Sequence, residues 1–293
     1  MAHFLQQVVS GLASGGIYGL LALGIVLIHR PTGVINFAQG EFATLSAFVC
    51  WALMDHGWAF WPAFGATIVL SFAGGVAVQQ TLIRPIQGGP LVAVVILTVG
   101  LLLAINGLTT WIWGDAARQF HGPFSTRTVD IGGVALSKQD LGVVGVSLAA
   151  VILVGLLFRR TKMGLGLRAG ALNPLEARLT GVKVATVLAA GWGLAAALGA
   201  VAGVLAAPSL VLEPNMMEAV LLYAFAAAVL GGMGSPVGAV VGGLILGVLL
   251  SLVGTYVHWV DGQLKLAVAL AVILGVLLVR PTGLFGSAAV RRA

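Results

Sequence analysis

Apolar residues fall into nine runs, at 8–29, 37–54, 59–83, 91–113, 140–158, 187–207, 218–232, 237–257 and 264–279, separated by stretches rich in Gly, Pro and charge. A helix needs roughly 20 apolar residues to cross a bilayer, and most of these runs approach or exceed that length. The alternation that marks a membrane strand does not occur, which argues against a β-barrel. The pattern predicts an all-α polytopic membrane protein of eight or nine transmembrane helices, folded as a single domain over 1–293. Two connections are longer and more polar, 114–139 and 159–186.

Three runs end alike, in "HRPTG" at 29–33, "IRPIQGG" at 83–89 and "VRPTG" at 279–283. Arg favours the negative end of the helix dipole, Pro disfavours helix at the residue before it, and Gly takes the left-handed capping conformation. The connection 159–186 carries Arg159, Arg160, Lys162, Arg168, Arg178 and Lys183 against Glu176 alone, so the positive-inside rule makes it cytoplasmic. If the three arginine stops share that side, the C-terminus with Arg291 and Arg292 is cytoplasmic, the N-terminus lies outside, and the chain crosses nine times. Eight crossings with a cytoplasmic N-terminus stay open if a weak run such as 218–232 only dips into the membrane. The repeated "RPTG" is too short to establish a duplication; a shared stop signal accounts for it.

Composition narrows the class further. With 59% hydrophobic and 8% charged residues and a mean hydropathy of +1.08, the chain cannot present the charged exterior of a soluble domain. Its net charge of +6 would suit nucleic acid in a soluble protein, but basic loops in a polytopic one fix orientation, so no nucleic-acid partner is expected. Cys50 is the only cysteine, which rules out an internal disulfide. No Lys or Arg precedes the first run, which reads as a retained helix and not a signal peptide. His3, His29, His56, His121 and His258 are scattered, and no HExxH, GxSxG or GxxxxGK[ST] occurs. The residues therefore predict no enzyme, no ATPase of its own, no metal and no cofactor.

Three stretches stand out. "VINFAQGEF" at 34–42 joins the first run to the second, with Asn36, Gln39, Gly40 and Glu41 interleaved with Phe37 and Phe42. An ionisable group at that depth is costly unless it faces protein, water or a partner, and irregular backbone survives there only inside protein or along a cavity. One reading is a broken or re-entrant segment near the translocation path, with Gly40 supplying the freedom to break. The other is an ordinary helix start, with Asn36 as N-cap and Glu41 favoured by the dipole. In the basic connection, Asn173-Pro174 predicts a short helix with Pro at its first position, continued by "LEARLTG" until Gly181 caps it. Leu175 and Leu179 share one side, with Glu176 and Arg178 elsewhere. This helix is either a docking knob for a soluble partner or a connector whose Arg168 and Arg178 touch lipid phosphates. Finally, Gly234, Gly238 and Gly242 recur at a spacing of four, as do Gly11, Gly15 and Gly19, Gly199 and Gly203, and Gly243 and Gly247, which predicts close helix packing.

Together these motifs resemble, nearly end to end, the permease subunits of bacterial branched-chain amino acid ABC transporters. "GLASGGIYGLLALGIVLIHRPTGVINFAQGEF" is similar to the family's N-terminal signature, "IRPI" to its stop after the third span, and "MGLGLRAGALNPLEARLTGVKV" to the loop that docks on the ATP-binding subunit. "VLGGMGSPVGAVVGGLILG" and "RPTGLFG" resemble its C-terminal signatures. The resemblance implies an inner-membrane subunit for a small amino acid, working with a second homologous permease, two cytoplasmic ATP-binding subunits and an extracytoplasmic substrate-binding protein. It makes Arg168, Asn173, Pro174, Leu175, Glu176, Ala177, Arg178, Leu179 and Gly181 the coupling residues, and moves Asn36, Phe37, Gln39, Gly40 and Glu41 toward the pathway. Two departures stand out: Gln39 where the family usually has His, and Ala171, Leu172 and Asn173 where its docking loop is usually acidic. Permeases for urea and short amides belong to the same family, and the signatures do not separate substrates. From another class, an ion-coupled secondary transporter would use Glu41 as its cation or proton site.

Overall fold

The computed structural model describes residues 2–125, 127–131, 134–172, 177, 179, 181, 183–257 and 264–286. Its α-helices are α1 (Ala2–Thr32), α2 (Gln39–Asp55), α3 (Phe60–Val78), α4 (Leu91–Trp113), α5 (Lys138–Arg160), α6 (Lys162–Leu172), α7 (Val184–Leu210), α8 (Glu218–Gly231), α9 (Pro236–Tyr256) and α10 (Leu264–Val279). All but α6 coincide with the nine apolar runs. Six of them, α1, α3, α4, α5, α7 and α9, are long and apolar enough to span a bilayer. The polar connections hold α6 and an antiparallel hairpin of β1 (Thr128–Ile131) and β2 (Val134–Ser137).

At each of the three stops a glycine has left-handed backbone: Gly33 at φ +70°, Gly88 at +96° and Gly283 at +78°. Pro31, however, lies inside the last turn of α1, which ends at Thr32. The Thr32 hydroxyl donates to the Ile28 carbonyl at 2.6 Å and offers its oxygen to the Val34 N–H, so the side chain closes the turn. After α10, the amides of Leu284 and Phe285 donate to the carbonyls of Leu230 and Gly231. "RPTGLFG" is thereby docked on the α8–α9 turn, where Gly232 and Gly283 sit too close for either to carry a side chain.

The centre is α1 and α7, which run antiparallel. The last turn of α1 (Ile28, Pro31, Thr32) meets the start of α7 at Leu188, Gly191 and Trp192. Its first half, at Ala13 and Ile17, meets the end of α7 at Ala206 and Ser209. Each central helix is followed by a non-helical segment and a short helix, and Pro31, Val34 and Glu41 of one half correspond in order and spacing to Pro208, Val211 and Glu218 of the other. The first helix of each half packs chiefly on the third helix of the other, α1 on α9 and α7 on α3. Gly11, Gly15 and Gly19 lie on the backbone of α9 at Val248, Leu244 and Val240, and Gly193 and Gly75 serve the α7–α3 seam. Without a hydrophobic drive between helices in lipid, such close backbone approach supplies the association through dispersion. The molecule is thus an inverted-topology repeat. "RPTG" is not its trace, because it ends α1 and α10, which are not equivalent helices.

The outer helices are as apolar as the central ones but lie open: Val69, Leu103, Trp111 and Leu153 are more than half exposed, the surface expected against lipid or another membrane chain. Arg30 and Arg168 share a crevice with Phe158 and Pro236, which puts the ends of α1 and α5, α6 and the start of α9 on one strongly basic face. The opposite face carries the start of α5 and the end of α7.

Candidate functional site

After Gly33 the chain turns back into the protein. Val34, Asn36 and Ala38 are buried, while Phe37 stays partly exposed at the surface. The Asn36 carboxamide oxygen accepts from the Ala38 amide at 3.1 Å, and its nitrogen donates to Gln39 Oε1 at 3.4 Å. Gln39 Nε2 in turn donates to the Ala195 carbonyl, near the middle of α7, at 2.8 Å. Gly24 and Gly199 leave the room its amide occupies between α1 and α7. The first residue of α2 is therefore pinned at mid-depth, and 33–38 is a segment folded inward from the basic face. Asn36 caps the turn before α2 rather than the helix itself, whose N-cap position is Ala38. Gly40 is helical, so it is not where the chain breaks. Its missing side chain admits Leu221 and the Met217 carbonyl of the other half, and the conformational freedom is used at Gly33.

Glu41 lies in the first turn of α2, where the helix dipole favours a carboxylate, and it is 7% exposed. Asn106 of α4 donates to Glu41 Oε2 at 3.4 Å, to the Pro214 carbonyl at 3.3 Å and to Asn215 Oδ1 at 2.8 Å. One amide thus ties both inward segments together. The second segment begins at Val211, whose φ of +66° is rare for a β-branched residue. It is held from outside the repeat: Leu212 and Arg118 exchange backbone hydrogen bonds at 2.9 and 3.0 Å. The Arg118 guanidinium donates to the Trp113 carbonyl at 2.6 Å and lies 4.5 Å over the Trp51 ring. Leu212, Met216 and Met217 are buried, but Glu213, Asn215 and Glu218 are exposed. This is a junction of two helix N-termini joined by neutral amides. Among the described residues no group of His, Cys, Asp and Glu could hold a metal ion.

Of the coupling residues, Asn173, Pro174, Leu175, Glu176 and Arg178 lie outside the described residues. Arg168 is exposed on α6, Ala177 is buried, Leu179 is 82% exposed and Gly181 has φ +85°. Of the glycine triplet, Gly238 and Gly242 lie on the α8 backbone at Gly231 and Ala227, but Gly234 does not pack. It precedes the Ser235 cap of α9, is exposed, and has open space around it. Sequence reasoning missed Asn106 and Asn215. The first had a signal: an amide inside the apolar run 91–113 needs a partner in lipid.

Residues 7–277 match the family model described as the branched-chain amino acid transport system permease component. The chain is 31% identical to the high-affinity branched-chain amino acid transport system permease protein LivH of Escherichia coli (strain K12), covering 97% of this chain and 96% of that one. It is 30% identical, with the same coverage, to the corresponding permease BraD of Pseudomonas aeruginosa. Among solved structures, PsaBC from Streptococcus pneumoniae in complex with Fab shares the fold, with a TM-score of 0.50 over 96% of this chain and 93% of that one at 17% identity.

Proposed function

The chain belongs to the family of branched-chain amino acid transport system permease components, and we propose that it is the inner-membrane permease subunit of an ATP-driven importer for branched-chain or related small amino acids. The observation that carries this is the likeness to LivH along almost the whole of both chains. The inverted repeat supports it: two discontinuous segments meeting inside the bundle are how transporter folds place irregular backbone at depth. In this reading the chain is one transmembrane permease domain over 1–293. The basic face, with residues 159–186 and the C-terminus, is cytoplasmic, and the opposite face receives substrate from a soluble binding protein.

The chain pairs with a second homologous permease and two cytoplasmic ATP-binding subunits. Closure of the ATPases pushes on Arg168 and residues 173–181 and tilts the two halves between outward- and inward-facing states. Leu175→Asp and Arg178→Glu then abolish uptake with the complex still assembled; normal uptake by both removes the coupling role. The function itself is tested by reconstituting the full complex in liposomes and measuring leucine against urea uptake. ATP-dependent leucine uptake supports the reading, and urea uptake alone moves the chain to the urea and short-amide permeases. Uptake that ignores ATP and collapses with an ionophore would indicate the ion-coupled alternative through Glu41.

A further inference from the structure

Each half of the repeat places a carboxylate in the first turn of its second helix, and the two are treated oppositely. Glu41 of α2 is buried and held by Asn106, whereas its counterpart Glu218 of α8 is exposed. The packing around Gly40 fixes the depth of Glu218. Gln39 is bonded to the Ala195 carbonyl, near the middle of the 27-residue α7. A methyl on the adjacent Gly40 would stand 3.2 Å from Leu221 Cβ and 3.4 Å from the Met217 carbonyl oxygen. Glu218, between those two residues, therefore lies level with the middle of a helix about 40 Å long. That is the centre of the hydrocarbon layer, not its mouth.

An exposed carboxylate at this level needs water or another protein chain beside it. The dipole of α8 favours an acidic first turn, but by several-fold less than hydrocarbon penalises a charge. On this side of the molecule the helices follow the order α4, α2, α8, α10. The outer two are open to their surroundings: α4 buries only Val94, Thr98, Ile105 and Thr109, and α10 only Ala269 and Ile273. Gly100 and Gly107 of α4 and Gly275 of α10 have open space around them, which lets helices of another chain approach closely. Leu222, one turn beyond Glu218 on α8, is 43% exposed and extends the open surface with an apolar group.

We propose that the second permease closes this face, and that Glu218 stands in a water-filled passage between the two chains, where it takes the ammonium group of the amino acid in transit. Leu222 lies beside it for the aliphatic side chain. A neutral solute such as urea gains nothing from the charge. The assignment rests on the amino-acid importer reading above and gives that reading a recognition residue.

The test uses the full complex in liposomes with its binding protein, ATP and radiolabelled leucine. Assembled Glu218→Gln lowers leucine uptake about 10-fold or more, the scale of a lost charge-assisted hydrogen bond. Glu218→Asp restores part of the uptake. A second variant, Leu222→Cys, reads the surroundings without touching the charge. During ATP-driven turnover a membrane-impermeant cationic thiol reagent, added on the binding-protein side, modifies it. Cys50, the only native cysteine of the chain, is buried and stays unmodified. The labelling decides the matter if Glu218→Gln does not assemble. Wild-type uptake by assembled Glu218→Gln, or a Leu222→Cys that the impermeant reagent does not reach, overturns the proposal while leaving the importer reading intact. Failure of the wild-type complex to import leucine with ATP overturns both.

Discussion

The two inward-folded segments occupy equivalent places in the repeat and are built differently. The first segment has its polar side chains sealed: Asn36 is 1% exposed and Gln39, at the start of α2, 0%, and their amides are bonded within the bundle, with only Gly33 and Phe37 exposed. Residues 211–217 lie half open, with Glu213 and Asn215 exposed, and their anchor is the 114–139 connection through Arg118. The first segment is thus fixed by the core and the second by a strap across the face opposite the basic one. The difference teaches that the repeat demands a chain break at depth but not any particular chemistry for it. In the proposed tilting cycle, the segment fixed by the core would be the part that holds and the strapped segment the part that yields.

The largest expected effect comes from the sealed half. Gly203 lies on the backbone of α2 at Ala43, so Gly203→Leu separates α2 from α7 and costs about 3 kcal/mol; size-exclusion profiles in detergent should show loss of the monodisperse protein. Gln39→Leu leaves the buried Asn36 amide nitrogen unpaired and removes the extra bond to the Ala195 carbonyl, and costs about 2 kcal/mol, read as a lower melting temperature. Asn106→Ala costs only about 1 kcal/mol but lowers transport more than Gln39→Leu does per degree of melting temperature, because it frees the strapped segment from the core. Equal transport loss per degree in both variants would mean that the two segments are equally rigid. The smallest effect separates the corresponding valines. Val211→Gly relieves a positive φ and stabilises by about 1 kcal/mol, whereas Val34→Gly, at a site 4% exposed, destabilises by about 2 kcal/mol. A destabilising Val211→Gly would show that the backbone there is not strained.

Much of this was legible from the chain alone. The nine apolar runs became nine helices because lipid leaves the backbone no partner but itself. "VINFAQGEF" announced a break, since its amides and carboxylate had no place in a plain span. The second break did not announce itself: "PSLVLEPNMME" keeps Pro, Val and Glu at the places they hold in "PTGVINFAQGE", too little to read against a requirement on depth. Helix α6 was hidden by the glycines of "MGLGLRAG", each costing about 1 kcal/mol of helix propensity. Gly164 earns its place by lying directly on the backbone of α5 at Leu157 and Phe158. Gly234 misled for the opposite reason, because a spacing of four runs on through a turn as readily as through a helix.

The central claim, a permease subunit driven by separate ATPases, is tested most directly by affinity purification of the tagged chain from its native membranes in mild detergent, identifying what accompanies it. A second permease and two ATP-binding subunits are the predicted companions. Recovery of the chain alone, or only with copies of itself, while known importers survive the same protocol intact, would contradict it.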